Sequence, residues 1–252
     1  MKRVISLLAV LALFCLAPNA WSAKTEDGPS LTRDIKPQAL QAYNKGVRLE
    51  KEGKFKEAVQ DFQQAVKLQP NYADAYHHLG LSYAMLKEYP PAVEALKKTV
   101  SLQPRWEAAR INLGAALSKM GHWQAALAEF KEAVRLRPDK AEAHYLKGVA
   151  LGKLGRHQQA MQAFAEAVKL QPDYLQAYNN LGMAYIKLGR WQSAGDTFKK
   201  AVRISKDDVE AHYGLCVYYI KVGDREAAAR EYQTLKRLNP KMAKQLADLL
   251  QK

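Results

Sequence analysis

Residues 178–201 read YNNLGMAYIKLGRWQSAGDTFKKA, and this stretch decides the fold. It contains two windows of helical length that are separated by Gly189. Glycine adopts a positive φ at no steric cost, so it is the usual residue just after the end of a helix. The stretch therefore predicts two helices joined by a tight turn.

The same arrangement recurs upstream with a period of 34 residues. Glycine keeps this step at Gly46, Gly80, Gly114, Gly148 and Gly182. Proline keeps it at positions 70, 104, 138 and 172, where it ends the second helix because it cannot continue the hydrogen-bond ladder. A fixed period of this length indicates a repeat architecture, in which each unit buries its apolar face against its neighbours.

Small and large residues also recur in register. A second set of small residues at the 34-residue step lets two helices approach closely. It consists of Ala58, Ala92, Ala126, Ala160, Ala194 and Ala228. The large residues that can fill the space opposite are Phe62, Leu96, Phe130, Phe164, Phe198 and Tyr232. Each unit is therefore predicted to be a helix-turn-helix pair, and the first pair is expected near residues 37–52 and 56–69.

This pattern resembles the tetratricopeptide repeat (TPR) family. The family has an aromatic residue, Leu-Gly, Tyr, Ala, Phe and Ala at set offsets, matched here by Tyr178, Leu181, Gly182, Tyr185, Ala194, Phe198 and Ala201. The resemblance implies an all-α, right-handed superhelical solenoid. We place six units at residues 39–72, 73–106, 107–140, 141–174, 175–208 and 209–242.

The departures from this pattern are few. Lys87 replaces the inter-helix glycine of the second unit, and Cys216 occupies the glycine slot of the sixth. Lys45 stands where leucine is usual, which fits a first unit that faces solvent. Beyond Pro240, residues 241–252 carry apolar side chains on one helical face, which predicts a capping helix over the last repeat. A partner-binding amphipathic helix is the alternative.

The N-terminus has the order of a secretory signal peptide. Basic residues at positions 2 and 3 precede an apolar run over residues 4–17, and Pro18 and small residues at 20 and 22 follow. The run is shorter than the roughly 20 residues that a membrane span requires. We predict a signal peptide over residues 1–22, a flexible leader over 23–36, and a periplasmic or secreted mature chain without a transmembrane segment. An uncleaved membrane anchor is the rival interpretation.

The composition gives few further constraints. The formal net charge is +14, and loss of Lys2 and Arg3 with the signal leaves +12. The net positive charge favours an anionic partner such as an envelope polymer or lipid. The basic residues are spread along the helices, however, and do not form a block of like charge. Nucleic acid is not expected after export. Cys216 is the single cysteine of the predicted mature chain, so no intramolecular disulfide forms.

The family resemblance also implies where partners bind, because the first helix of each TPR unit lines the concave face. The predicted groove residues in the N-terminal half are Tyr43, Asn44, His77, His78, Asn112 and Lys119. Those in the C-terminal half are Tyr145, Lys153, Asn179, Asn180, Lys187, Tyr213 and Lys221. The lysines form a row near the ends of the first helices.

Asn44, Asn112 and Asn180 recur in every second unit. An asparagine side chain offers a donor and an acceptor, so it can hold an extended peptide backbone without reading its sequence. This broken ladder is similar to the peptide-holding ladder in the TPR arm of O-GlcNAc transferases, although asparagine is also simply common at this TPR position. The carboxylate clamp of chaperone-binding TPR domains is not expected, because Tyr43 and Val47 stand at two of its positions.

Little in the sequence points to catalysis. It has no HExxH, paired CxxC or phosphate-binding loop, and adjacent His77 and His78 point in different directions on a helix. We therefore predict no enzyme activity, no metal and no cofactor. The expected function is a scaffold or adaptor that binds a protein or peptide in a cell-envelope assembly. The alternatives are a basic module that binds anionic envelope polymers or lipids, and a non-catalytic subunit of an enzyme complex.

Overall fold

The structure, a computed structural model, describes residues 35–250, with side chains described as far as residue 247. The predicted signal peptide and nearly all of the predicted leader lie outside the described residues. Within residues 35–250 the chain is built from helices, and it contains no strand there. The predicted all-α fold class is confirmed.

Contacts divide the described chain into two compact units after Asp139. We call residues 35–139 the N-terminal block and residues 140–250 the C-terminal block. The helices of the N-terminal block are α1 (Pro37–Lys51), α2 (Phe55–Leu68), α3 (Ala73–Met85), α4 (Tyr89–Leu102), α5 (Glu107–Lys119) and α6 (Trp123–Leu136). Those of the C-terminal block are α7 (Ala141–Lys153), α8 (His157–Leu170), α9 (Leu175–Lys187), α10 (Trp191–Ile204), α11 (Val209–Val222), α12 (Arg225–Leu238) and α13 (Pro240–Leu250).

Each block is a stack of three helix-turn-helix repeats. Within a repeat the first helix packs on the second, and the second helix packs on the first helix of the next repeat in the same block. The first helices of successive repeats also contact each other, as α1 contacts α3 and α7 contacts α9. This is the repeat packing of a solenoid, in which neighbours supply the core of each unit.

The recurring spacing of glycine and phenylalanine within a repeat reflects direct contact between its two helices. A Cβ atom added at Gly182 would lie 2.5 Å from the ring of Phe198, which is 1% exposed. Gly114 stands in the same relation to Phe130. Only a residue without a side chain allows the helices to pack this closely around a buried ring.

The turns between the two helices of a repeat require a left-handed residue. Gly189 has φ +73°, and the glycines at the same step have similar angles. In the second repeat Lys87 adopts φ +63° in the place of glycine. Its N–H donates to the carbonyl of Ala84, and the N–H of Glu88 donates to the carbonyl of Tyr83, each at 2.9 Å. These two bonds form a Schellman motif, which ends α3.

Helix α13 packs on the last repeat. It contacts α12 and α11, and it buries Ala243 and Leu246 in a core that includes Tyr213 and Leu235. Apolar surface of the terminal repeat is thereby removed from water. Across residues 35–250, we found no helix with both the length and the apolar character needed to cross a membrane.

Candidate interaction surface on the first helices

The candidate surface consists of the first helices of the repeats within each block. These helices lie next to each other, so residues at equivalent repeat positions form rows along the block. Five of the predicted groove residues are buried, and they are His77, Asn112, Tyr145, Asn179 and Tyr213. Each of the five is at most 4% exposed because the adjacent repeats cover its row.

In the N-terminal block, Asn112 of α5 binds His77 of α3. The Nδ2 atom of Asn112 lies 2.9 Å from the Nε2 atom of His77, and both side chains are almost fully buried. The indole ring of Trp106 packs against His77, with ring centroids 4.4 Å apart. The amide of Asn112 is therefore used between repeats and does not face a groove, which weighs against its predicted contact with a peptide backbone.

Burial keeps His77 neutral. Removal from water, and secondarily the neighbouring charge of His78, lower the pKa of His77 to about 3. With Nε2 facing the donor Nδ2 of Asn112, the ring proton is placed on Nδ1. The neutral imidazole is enclosed between Asn112 and Trp106, so it acts as a packing element of the stack.

His78 lies between the first two repeats. Its Nδ1 atom is 2.7 Å from a carboxylate oxygen of Glu50, and the hydroxyl of Ser82 donates to the other oxygen at 3.3 Å. The ring of Tyr43 meets His78 edge-on at 5.5 Å. These contacts join α1 to α3, so His78 and Tyr43 are held by the repeat stack.

Asn44 is exposed on α1. It borders a surface cavity of about 520 Å³ whose described lining comes from α1 alone. The lining residues are Pro37, Leu40, Gln41, Asn44, Lys45 and Arg48. Of the three recurring asparagines, Asn44 is thus on the outer face of the first repeat and Asn112 is inside the stack.

In the C-terminal block, Asn180 of α9 is half-buried and differently engaged. Its Nδ2 atom donates to the hydroxyl of Tyr145 at 3.2 Å and to the carbonyl of Gln176 at 3.1 Å. The two amide hydrogens are therefore used within the block. Among the described residues the Oδ1 atom has no hydrogen-bond partner, so Asn180 presents an acceptor held in a fixed orientation.

The neighbouring Asn179 is buried against an acidic pair. Its Nδ2 atom donates to Asp208 at 2.8 Å and lies 3.4 Å from Glu210. Asp208 also caps α11 by accepting from the N–H of Ala211. Burial, followed by the charge of Asp208, raises the pKa of Glu210.

The lysine row is the most accessible part of the predicted site. Lys119, Lys187 and Lys221 are exposed, and Lys153 is half-buried. The Nζ atom of Lys221 lies over the indole ring of Trp191, 5.4 Å from its centroid. This distance is within the range of a cation–π interaction.

Sequence reasoning missed the aromatic residues beside these lysines. Trp191 and His157 each begin a second helix, and aromatic residues recur at that position with the 34-residue step. The recurring residues are Phe55, Tyr89, Trp123, His157 and Trp191. This 34-residue recurrence was the signal in the sequence that could have identified them. Contact of any predicted groove residue with a partner stays a prediction.

The last repeat contains a partly buried pair of His212 and Glu231 that the sequence did not indicate. The Nδ1 atom of His212 lies 2.5 Å from a carboxylate oxygen of Glu231, and its Nε2–H donates to the carbonyl of Lys206 at 2.8 Å. Because both ring nitrogens face acceptors, the pair favours the imidazolium. The bond to Glu231 is the largest cause of the raised pKa of His212.

Cys216, the cysteine within the described residues, is buried and does not ionise readily. Burial raises the pKa of the Cys216 thiol to about 12, and its Sγ atom faces the carbonyl of Ala228. A thiol in this state is a poor nucleophile. In the described part of the chain, no three His, Cys, Asp or Glu side chains are grouped so as to hold a metal ion.

The stacked helix pairs and the surface of their first helices are those of a helical repeat protein of the protein-interaction scaffold class. Family models described as tetratricopeptide repeat or TPR repeat match residues 51–87, 74–105, 111–174 and 151–209. The chain belongs to the tetratricopeptide repeat family. Such repeats are typically non-catalytic. No curated protein sequence matches the chain.

Solved structures of other TPR proteins are similar to it. MamA (residues 41 to the end) from Desulfovibrio magneticus RS-1 is 23% identical, with a TM-score of 0.66 over 69% of this chain and 99% of MamA. PilF from Pseudomonas aeruginosa is 18% identical, with a TM-score of 0.71 over 85% of this chain and 98% of PilF. YrrB, described as a TPR protein with an unusual peptide-binding site, is 20% identical, with a TM-score of 0.64 over 74% of this chain and 97% of YrrB. At these identities the likeness establishes the fold alone.

Proposed function

We propose that this protein is an exported TPR adaptor that binds an extended peptide or protein segment on its first helices. The observation that carries the proposal is the fixed acceptor of Asn180. Its amide hydrogens are bound by Tyr145 and Gln176, while its Oδ1 atom is without a partner among the described residues. An extended segment supplies backbone N–H groups that such an acceptor can bind.

The C-terminal block is the better candidate for this binding. Asn112 of the N-terminal block is buried and its amide bonds to His77, whereas Asn180 is half-buried beside the exposed Gln176. An acceptor that is already oriented loses little side-chain freedom when a partner binds. The proposal therefore places the segment along α7, α9 and α11.

Two further features support the proposal. YrrB, which shares the fold, is described as having a peptide-binding site, although its low identity transfers no residue to this chain. The N-terminal sequence has the charge, apolar run and small residues of a secretory signal. An assembly in the cell envelope, with the chain in the periplasm, is the setting that we infer from that signal.

Site-specific photo-crosslinking tests where the partner binds. A photoreactive amino acid would replace the exposed Gln176 of α9 in one variant and the exposed Lys200 of the second helix α10 in a control. Both variants would be expressed in the native host, and the adducts would be identified by mass spectrometry. We expect a discrete adduct from position 176 and none from position 200. Equal adducts from both positions would place binding elsewhere.

The identified partner then allows a test of the acceptor itself. Asn180→Asp retains an oxygen acceptor, whereas Asn180→Ala removes it. We expect Asn180→Ala to weaken binding about five- to tenfold, the usual effect of one lost hydrogen bond, and Asn180→Asp to weaken it less. If both variants bind the partner as tightly as the wild type does, Asn180 does not contact the partner.

Export is tested separately. Cell fractionation and intact-mass measurement of the purified protein should find a periplasmic chain that begins near residue 23. A cytoplasmic chain that retains residues 1–22 would remove the envelope part of the proposal and leave the interaction surface standing.

A further inference from the structure

One edge of the C-terminal block carries a line of cations. Lys153, Lys187 and Lys221 are the last or nearly last residues of α7, α9 and α11, the first helices of three successive repeats. Arg156 and Arg190 lie in the turns that follow α7 and α9. We call this set, from Lys153 to Lys221, the basic edge.

The lysines of the basic edge reach from one repeat to the turn of the repeat before. Lys221 of α11 places its Nζ atom 5.4 Å from the ring of Trp191, at the start of α10. His157 lies at the start of α8. Burial lowers the pKa of its imidazole, and the positive charge of Lys187, at the end of α9, lowers it further. The edge is therefore continuous across the three repeats and alternates cations with rings.

Few carboxylates lie along this edge. The first turns of α8 and α10 contain no acidic residue. In the turn before α12, Asp224 is used as the cap, since its Oδ1 atom accepts from the N–H of Ala227. Glu226, in the first turn of α12, lies 3.7 Å from Arg230. Lys187 and Lys221 have no ion pair with a carboxylate within the described residues.

The N-terminal block does not have such an edge. Met85 stands at the lysine position of the second repeat, and Lys54 of the first turn is paired with Glu52 at 2.8 Å. Lys51 and Lys119 occupy this position in the first and third repeats, but Met85 interrupts the row between them. The uninterrupted line of charge is thus a property of the C-terminal block.

We propose that the basic edge docks an acidic, extended segment of a partner protein. The inference rests on the proposed function and specifies the chemistry of the segment bound in the C-terminal block. Carboxylates of the segment would meet Lys187, Arg190 and Lys221, and its apolar side chains would lie against Trp191. A line of charge interleaved with aromatic rings fits a linear partner with both acidic and apolar residues. A lipid surface, by contrast, is matched by a broad basic face.

The test measures binding of labelled peptides to the purified full chain by fluorescence anisotropy. The acidic probe alternates Glu with Leu, its neutral analogue has Gln in place of each Glu, and a third sample contains anionic phospholipid vesicles. We expect the acidic probe to bind more tightly than the neutral analogue. Raising the salt from about 0.05 M to about 0.5 M should remove most of that difference, because exposed charges are screened.

A charge-matched pair of variants locates the site. Lys187→Gln/Lys221→Gln removes two charges from the basic edge, and Lys200→Gln/Lys236→Gln removes two from exposed positions on the second helices. The first variant should weaken binding of the acidic probe about three- to tenfold, as expected for two exposed charge contacts, and the second less than twofold.

Each alternative result overturns the proposal. Equal weakening by the two variants would show a diffuse charge effect. Binding of vesicles, but not of the acidic probe, would identify a membrane surface as the occupant. Equal binding of the acidic and neutral probes would remove the charge preference. In a further outcome, a partner crosslinks at position 176 and binds equally well without Lys187 and Lys221. That result would contradict this inference alone and leave the proposed function intact.

Discussion

The side-chain amide of Asn180 donates to the hydroxyl of Tyr145 across 3.2 Å and thereby joins the first helices of two successive repeats. Asn112 makes the corresponding bond to His77 in the N-terminal block. The two asparagines, predicted as rungs of a peptide-holding ladder, are therefore first of all links between repeats. The Oδ1 atoms of both asparagines have no partner among the described residues, but Asn180 remains half-buried whereas Asn112 is almost fully buried.

A double-mutant cycle measures the link between Tyr145 and Asn180. Tyr145→Phe removes the hydroxyl, and Asn180→Leu introduces the residue found at the same repeat position in Leu146. We expect a coupling free energy of about 0.5–1.5 kcal/mol in urea unfolding, because an intramolecular hydrogen bond is worth about that much. Additivity of the two single variants to within about 0.3 kcal/mol would mean that the hydrogen bond adds nothing to stability.

The turn at Lys87 predicts a stabilising substitution. Lys87 adopts φ +63°, a region that costs a residue with a side chain about 1 kcal/mol and costs glycine almost nothing. Lys87→Gly should therefore raise the free energy of unfolding by about 1 kcal/mol, seen as a higher midpoint in urea.

The reciprocal change is the control. Gly121 has φ +78°, and a Cβ atom added there would meet nothing within 4 Å, so Gly121→Lys tests the backbone angle without a clash. It should lower the free energy of unfolding by about 1 kcal/mol. If both substitutions destabilise the protein, Lys87 makes a contact that outweighs its backbone strain.

The His212–Glu231 pair predicts that the last repeat weakens at alkaline pH. The folded-state pKa of His212 is raised above 6.5, first by the bond to Glu231 and also by the carbonyl of Lys206 and the charges of Glu231 and Asp208. The pair's stabilisation is fully present below pH about 6.5 and is lost as the pH rises through the folded-state pKa. Hydrogen exchange of α11 and α12, corrected for the intrinsic effect of pH, should therefore accelerate above neutrality.

Glu231→Gln separates this effect from general alkaline destabilisation. Glutamine keeps an oxygen acceptor for the Nδ1–H of His212 but removes the negative charge. The pKa of His212 should then fall, and the alkaline increase in exchange should become shallower in α11 and α12. An identical pH profile in the wild type and the variant would rule out the pair as its source.

His77 predicts the opposite dependence in the N-terminal block. Its folded-state pKa of about 3 lies below the ordinary 6.5 because burial disfavours the charged ring. The unfolded chain takes up the proton first, so stability is lost as the pH falls below 6.5, at up to about 1.4 kcal/mol per pH unit. His77→Asn, which introduces the residue found at this position as Asn179, should remove that component of the acid dependence.

The measurement is the difference between the wild type and His77→Asn in urea unfolding across the acid range, since shared carboxylates cancel in the comparison. The ring of His77 should also remain neutral in NMR spectra at pH 5. A protonated ring at that pH would show that His77 is not held in a dry interior.

The period of the sequence predicted the helices closely. The first pair was expected at residues 37–52 and 56–69, and the structure has Pro37–Lys51 and Phe55–Leu68. The turn glycines and the contact of Gly182 with Phe198 could be predicted because each depends on one repeat alone. Local rules suffice where the interacting residues are a few turns apart in the same unit.

The sequence by itself determined the repeat, the positions of its helices and turns, and the family. Only the tertiary structure decided which first-helix residues are accessible. His77, Tyr145 and Tyr213 share a row that an isolated helix would expose, but the neighbouring repeats bury it. Asn112 and Asn180 have the same repeat position, yet Asn112 is enclosed with His77 and Asn180 stays half-buried beside Tyr145. The reason is physical: a repeat position fixes the direction of a side chain, whereas its burial and its hydrogen bonds depend on what the next repeat places opposite.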